Sequence, residues 1–302
     1  MKKIISPVLL FTVISVFASG EVKHLKILTI GNSFSNSVFS VLQNIVKQDP
    51  QCALTIAKAS MGGATFSGHW SNHLKSEKNP SFKPYQKKYS LREALIREKW
   101  DIVTIQQGSR KSWVASSFYP AADNLIKLIR TLAPQAEIVI QQTWSYRSDS
   151  SRLKKWKINN TTMFEKLSAA YAELAKANGF RVIPTGYAVQ IFRAETPVKF
   201  VAPDLKALAE LKNTKHHAFD GEVVGFCRWM RNRKSKEYYL GRDCSHLNPH
   251  GEYMQAAVWF SFLFGEKATA VKYIQPEMKP EQAKLLLKCA QKAVSTFKQP
   301  GK

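Results

Sequence analysis

The stretch "KILTIGNSFSNSVFSVLQNIV", Lys26 to Val46, decides how this chain folds. Leu25 to Ile30 is a short, apolar, β-rich run that climbs to Gly31. Asn32-Ser33-Phe34-Ser35-Asn36-Ser37 follows, and then Val38, Leu42, Ile45 and Val46 recur at helical spacing. A buried strand that turns at once into an amphipathic helix is the opening of a β-α-β unit. Serine and asparagine at this place are what any helix start uses as caps. Ser33 therefore reads three ways, as a cap, a turn filler or a nucleophile, and Ser35, Asn36 and Ser37 are enough to cap the helix without it.

The alternation continues downstream. Ala53 to Ala57 reads as a second strand, and Ser90-Leu-Arg-Glu93 is a capping box that opens a short helix through Ile96. Ile102 to Ile105 is a third strand, a continuous apolar run of the kind buried on both faces of a parallel sheet. Leu125, Ile126, Leu128, Ile129 and Leu132 form a helix closed by Pro134, and Ile138 to Ile140 is a fourth strand. Thr162-Met-Phe-Glu165 reads as another capping box, whose helix ends at Gly179 ahead of a fifth strand, Arg181 to Ile183. Two helical patterns close the chain, Tyr253 to Phe264 and Glu281 to Phe297. This order predicts an α/β fold: a central, mostly parallel five-stranded sheet with helices on both faces. Sites in such sheets lie at the carboxyl ends of the strands.

Composition narrows the class. Of 302 residues 44% are hydrophobic, enough for a large core, so disorder is not the expectation. The first twenty residues, "MKKIISPVLLFTVISVFASG", have the layout of a cleaved secretory signal peptide, with an uncleaved anchor as the alternative. Their apolar stretch is short and interrupted by Ser6 and Pro7, a poor membrane span. The expectation is an exported chain, periplasmic or extracellular. Residues 21–302 would be one domain with a basic insertion at about 195–242. The net charge of +23 would suit nucleic acid, but export makes that partner improbable. It leaves anionic polysaccharides, sulfated or uronate glycans, or phospholipid surfaces, with an evenly solvated basic surface as the plain reading. Cys52, Cys227, Cys244 and Cys289 match no zinc spacing. Cys227 and Cys244 are either a disulfide of an oxidising compartment or two thiols. His216-His217 lacks further ligands at a recognised spacing, so no metal or cofactor is expected.

The strand ends carry the chemistry. They are Gly31-Asn32-Ser33, then the Gly62-Gly63 pair, then "QQGSR" from Gln106 to Arg110, then "QQTWSY" with Trp144 and Tyr146. Far downstream stands "GRDCSHLNPHGEYM", with Asp243 and His246 three apart. A serine attacks a carbonyl only if a base takes its proton, and the base must itself be oriented. His246 can be that base and Asp243 can hold its tautomer. An oxyanion needs preorganised donors. Candidates are the backbone N–H of Ser33, a glycine N–H after the second strand and a side-chain amide after the third. Trp144 and Tyr146 stand where a sugar or acyl group would stack, or they pack beneath the loop. His69 is either a substrate contact or a solvent-facing turn residue.

Together "ILTIGNSFSNS", "MGGAT" and "DCSHLNPHG" resemble the SGNH (GDSL-like) hydrolases. The resemblance implies a flavodoxin-like α/β/α fold and a Ser-His-Asp carboxylic ester hydrolase without a cofactor. Gly31-Asn32-Ser33 matches the nucleophile block, and Asp243 and His246 match the D-x-x-H block. Gly63, with Gly62 as the near alternative, matches the oxyanion glycine. The third block departs: the family's G-x-N-D is replaced by "IQQGSR", which leaves Gln106 or Gln107 for the asparagine's amide role. The implied substrate is an acylated small molecule or polysaccharide. A short acyl group on an anionic glycan suits the basic insertion with Trp229, Tyr238 and Tyr239, and a lysophospholipid is the alternative. A non-catalytic glycan-binding protein of the same fold is the reading from a different class.

Overall fold

A computed structural model describes residues 21–210 and 220–301. The expected leader at 1–20 and the His216-His217 pair lie outside the described residues. Five strands build the central sheet: β1 (Lys23–Gly31), β2 (Cys52–Ser60), β3 (Ile102–Ile105), β4 (Glu137–Gln141) and β5 (Arg181–Ile183). Their order is β2-β1-β3-β4-β5, and every pairing is parallel. The chain leaves β1 for β2 on one side and then crosses to β3 on the other. The carboxyl ends of β1 and β3 therefore flank the switch point, where such sheets open a crevice. Ser33 follows one of these strands and Gln106 the other.

The helices are α1 (Ser33–Asn36), α2 (Phe39–Lys47), α3 (Phe66–Lys78), α4 (Leu91–Ile96), α5 (Ala121–Leu132), α6 (Ser151–Trp156), α7 (Asn160–Asn178), α8 (Thr185–Glu195), α9 (Leu205–Glu210), α10 (Pro249–Phe264) and α11 (Pro280–Thr296). Right-handed crossovers place α2 on one face, where it packs with α10, itself flanked by α8 and α11; α3, α4 and α5 pack together on the other. All four residues of β3 are buried, and α10 is buried nearly all round, which hides any periodicity in its sequence. Ser90 and Glu93 make the expected capping box of α4.

Other local expectations are corrected. The cap of α7 is Asn159, whose Oδ1 accepts the Thr162 N–H at 2.7 Å, so Thr162 lies inside the first turn. The penultimate helix starts at Pro249, with Asn248 as cap, ahead of the expected Tyr253. Helix α3 has no counterpart in the sequence reading, because its buried positions Phe66, His69, His73 and Ser76 keep helical spacing but are mostly polar.

Part of the expected insertion is an antiparallel ribbon of β6 (Val224–Arg231) and β7 (Tyr238–Leu247), separate from the central sheet. Its register shifts between Val224 and Phe226, at Gly225, whose φ is 89°. A Cβ at Gly225 would stand 2.6 Å from both an Arg147 guanidinium nitrogen and the Asp243 carbonyl oxygen. Only glycine fits such a bulge. All four cysteines are free thiols. Cys227 stands opposite Arg242 in the ribbon, and the Cys244 sulfur lies 3.4 Å from Arg147 Nη2.

Candidate active site

Ser33 is the first residue of α1. Its neighbour Asn32 is the cap, with Oδ1 accepting the Phe34 N–H at 2.9 Å. The capping role expected of Ser35, Asn36 and Ser37 is corrected accordingly. The Ser35 hydroxyl donates to Gln106 Oε1 at 2.6 Å, the Ser37 hydroxyl donates to Gln255 Oε1 at 2.7 Å, and α2 has no side-chain cap.

The structure brings Ser33, His246 and Asp243 into one line, although Ser33 follows the central sheet and the other two end the ribbon. Ser33 Oγ is 2.8 Å from His246 Nε2, and His246 Nδ1 is 2.7 Å from Asp243 Oδ2. A carboxylate only accepts, so Nδ1 carries the imidazole proton and Nε2 accepts from the serine hydroxyl. Asp243 Oδ1 accepts the backbone N–H of Ser245 at 2.7 Å and of His246 at 2.8 Å, and the Ser245 hydroxyl at 3.0 Å. Partial burial alone would raise the Asp243 pKa; the bond to His246, its charge and the two amides outweigh that and hold it well below the carboxylate range.

Aromatic packing fixes the imidazole. Phe34 stacks on Trp144 at 4.2 Å and meets His246 edge-on at 5.2 Å, and the Trp144 indole N–H donates to the Ser245 carbonyl at 2.8 Å. Trp144 is fully buried, so packing is its role, not stacking on a substrate. The buried Arg147 ties the ribbon down. Its backbone N–H donates to the Cys244 carbonyl at 2.9 Å, and its guanidinium pairs with Asp149, which also binds Arg242.

The two glutamines do not offer their amides to the serine. Gln106 Nε2 donates to Asn32 Oδ1 and to the Gln107 carbonyl, both at 3.0 Å. Gln107 Oε1 accepts the N–H groups of Phe66 and Gly108, and its Nε2 donates to the Ser117 carbonyl. Both side chains are fully buried. They clamp the loop after β3 to the turns after β1 and β2, which corrects the expectation of an oxyanion donor. The backbone N–H groups of Ser33 and Gly63, by contrast, donate to no protein acceptor among the described residues. Gly63 takes φ 65°, a left-handed turn that carries it into the cavity wall.

Two cavities flank the Ser33–His246 bond. One, of about 370 Å³, is lined by Ser33, Gly63, His246, Tyr146 and the loop from Gly108 to Lys111. The other, of about 690 Å³, carries Phe226, Arg228, Leu247 and Glu252. Burial pushes Glu252 up to about 7, against the pull of His246. Sequence reasoning missed Phe34 and the cationic residues of the first cavity. The "SRK" after Gly108 was the available signal.

His69 has neither expected role. It is fully buried in α3, its Nε2–H donates to the Gly31 carbonyl at 3.1 Å, and its Nδ1 accepts from the Tyr85 hydroxyl at 2.8 Å. Burial lowers its pKa to about 4 from an ordinary 6.5. The unfolded chain therefore binds the proton first as pH falls. Stability is complete above pH 6.5 and is lost towards pH 4, by about 3 kcal/mol at this group. Urea midpoints between about pH 7 and about pH 4.5 should fall more steeply for the natural chain than for His69→Gln. Equal slopes would refute the assignment.

A family model described as a domain of unknown function, DUF4886, matches residues 26–199. The chain belongs to the DUF4886 family. The matched span holds Ser33 and Gly63 and stops ahead of Asp243 and His246. The chain is similar to the crystal structure of a DUF4886 family protein from Bacteroides uniformis, with a TM-score of 0.69 at 21% identity, over 91% of this chain and 96% of that one. This likeness bears out the three-layer fold implied by the SGNH resemblance. Looser likenesses are a putative SGNH hydrolase from Slackia heliotrinireducens (TM-score 0.48, 20% identity, 78% and 97% covered) and an acetyl xylan esterase from Geobacillus stearothermophilus (0.41, 12%, 85% and 98%). No curated protein matches the DUF4886 chain. No helix among its described residues is long and apolar enough to cross a membrane.

Proposed function

We propose that this chain is an exported serine ester hydrolase of the SGNH type, acting through residues 21–302 as one unit. The observation that carries the reading is the line from Ser33 through His246 to Asp243, with the tautomer set for base catalysis. Ser33 Oγ attacks the ester carbonyl while His246 Nε2 takes its proton. The oxyanion is held by the N–H groups of Ser33 and Gly63. The imidazolium, stabilised by Asp243, then protonates the departing alcohol. Water, activated by the same imidazole, releases the acid.

A short acyl group on a carbohydrate is the favoured substrate, since polar and charged groups line both cavities beside Ser33. A non-catalytic glycan binder is the alternative, and the complete hydrogen-bonded line from Ser33 to Asp243 favours turnover over it.

A fluorophosphonate probe tests the reading directly, because it bonds covalently only to an activated serine. Peptide mapping should place the label on Ser33, the Ser33→Ala protein should stay unlabelled, and a screen of acetylated glycans and aryl esters should reveal turnover. A folded natural chain that takes no label at Ser33 overturns it.

A further inference from the structure

The cavity of about 370 Å³ beside Ser33 has a lopsided charge. Arg110, Lys111 and Arg152 all line it, and its one carboxylate is Asp243. Asp243 is already occupied by His246 and the backbone N–H groups of Ser245 and His246. None of the three cations forms an ion pair among the described residues, whereas Arg92 and Arg181 elsewhere find Glu77 and Glu137. All three side chains are exposed at the cavity's rim, so their field reaches an approaching anion through water and is screened by salt. With no carboxylate paired to any of the three among the described residues, this side of the cavity is complementary to negative charge.

The cations are mounted on a braced support. The Arg152 guanidinium lies over the Tyr146 ring at 6.0 Å, and the Tyr146 hydroxyl is 2.9 Å from the Ser109 hydroxyl, next to Arg110. The N–H groups of Lys111 and Ser112 close a turn on the Gly108 carbonyl at 2.8 and 2.9 Å. Gly108 is so close to the Gly63 turn that a Cβ would stand 2.8 Å from the Ala64 carbonyl oxygen. The loop that carries Arg110 and Lys111 thus packs directly against the turn of the proposed oxyanion donor.

We infer that this cavity is a specificity pocket for an ester that also bears a carboxylate or sulfate, held by Arg110 and Arg152 with Lys111 while the carbonyl sits at Ser33. The inference rests on the hydrolase reading and deepens it. It moves the source of anion preference from the ribbon's basic residues to the loop after β3 and to α6. The cavity on the other side has Arg228 as its one cation, with Glu252 and Asp243 also on its wall, and has no such excess.

Two matched comparisons test it and tell the anion's position apart. Acetylated glucuronate against acetylated glucose places the charge on the alcohol. The 4-nitrophenyl ester of succinate against that of acetate places it on the acyl group. In one comparison the anionic ester should have a kcat/KM about tenfold or more higher, and added salt should shrink the gap. In an Arg110→Gln/Arg152→Gln protein that ratio should fall about tenfold. Equal kcat/KM within both pairs overturns the pocket and leaves the hydrolase reading intact. A second measurement is independent of turnover: of glucuronate and succinate, each titrated into the Ser33→Ala protein, the one matching the preferred ester should release heat on binding, and the signal should vanish when both arginines are also changed. No binding of either anion to Ser33→Ala overturns the pocket, whereas binding without Ser33 labelling of the natural chain overturns the hydrolase reading alone.

Discussion

The Ser33→Ala protein is expected to cleave 4-nitrophenyl acetate with a kcat about 10⁶-fold below that of the natural chain, at the background of the assay. The substitution removes one atom. Among the described residues Ser33 Oγ bonds only to His246, so alanine takes away the group that would form the acyl bond and disturbs little else. His246 and Asp243 remain but have only water to activate. What survives is the stabilisation of the oxyanion by backbone donors, which is slow without an attacking group. Steady-state rates at matched melting temperature measure this. A rate within about tenfold of the natural chain would mean that another group attacks.

Asp243→Asn should cost about 10⁴-fold in kcat, with little change in KM. An asparagine oxygen can still accept the Ser245 and His246 amides at the Oδ1 position. Its NH2 group then faces His246 Nδ1, which must become the acceptor. The imidazole proton moves to Nε2, and Nε2 no longer accepts from Ser33. The local fold survives while the tautomer is wrong, so the loss lies in the chemical step. The Ser33→Ala/Asp243→Asn protein should be no slower than Ser33→Ala, because the residues act as a unit. A single Asp243→Asn loss under about tenfold would remove Asp243 from the orienting role.

The sheet was legible because β3, β4 and β5 are short apolar runs between turn residues, the pattern of strands buried on both faces. The Asp243–His246 pair was legible from its spacing and from Leu247, Asn248 and Gly251 just beyond it. Its setting was not: it ends a strand of a basic, partly exposed ribbon, where apolar alternation is weak. Helix α3 stayed hidden because a buried face built from His69, His73 and Ser76 looks like surface to a hydrophobicity pattern. The glutamines show a different limit. An amide has the same donors whether it clamps a loop or holds an oxyanion, and only its partners distinguish the two. Gln106 and Gln107 turn out to be clamps. The Asn159 cap was masked by an equally good signal three residues later, and only the backbone conformation separates them.

The long span of the Ser33–His246 bond sets the order in which the site comes into being. Ser33 leaves the ribosome early, together with the first strand, and the central sheet has all its strands by Ile183. The imidazole that would activate the serine is 213 residues behind it. Until the ribbon has emerged and docked through Arg147, Trp144 and Phe34, the hydroxyl is an ordinary alcohol. A chain cut after Ile183 would hold all five strands of the central sheet yet lack both the imidazole and the helices α10 and α11 that cover one face, so the proposed reactivity and the completed core arrive together with the last third of the chain.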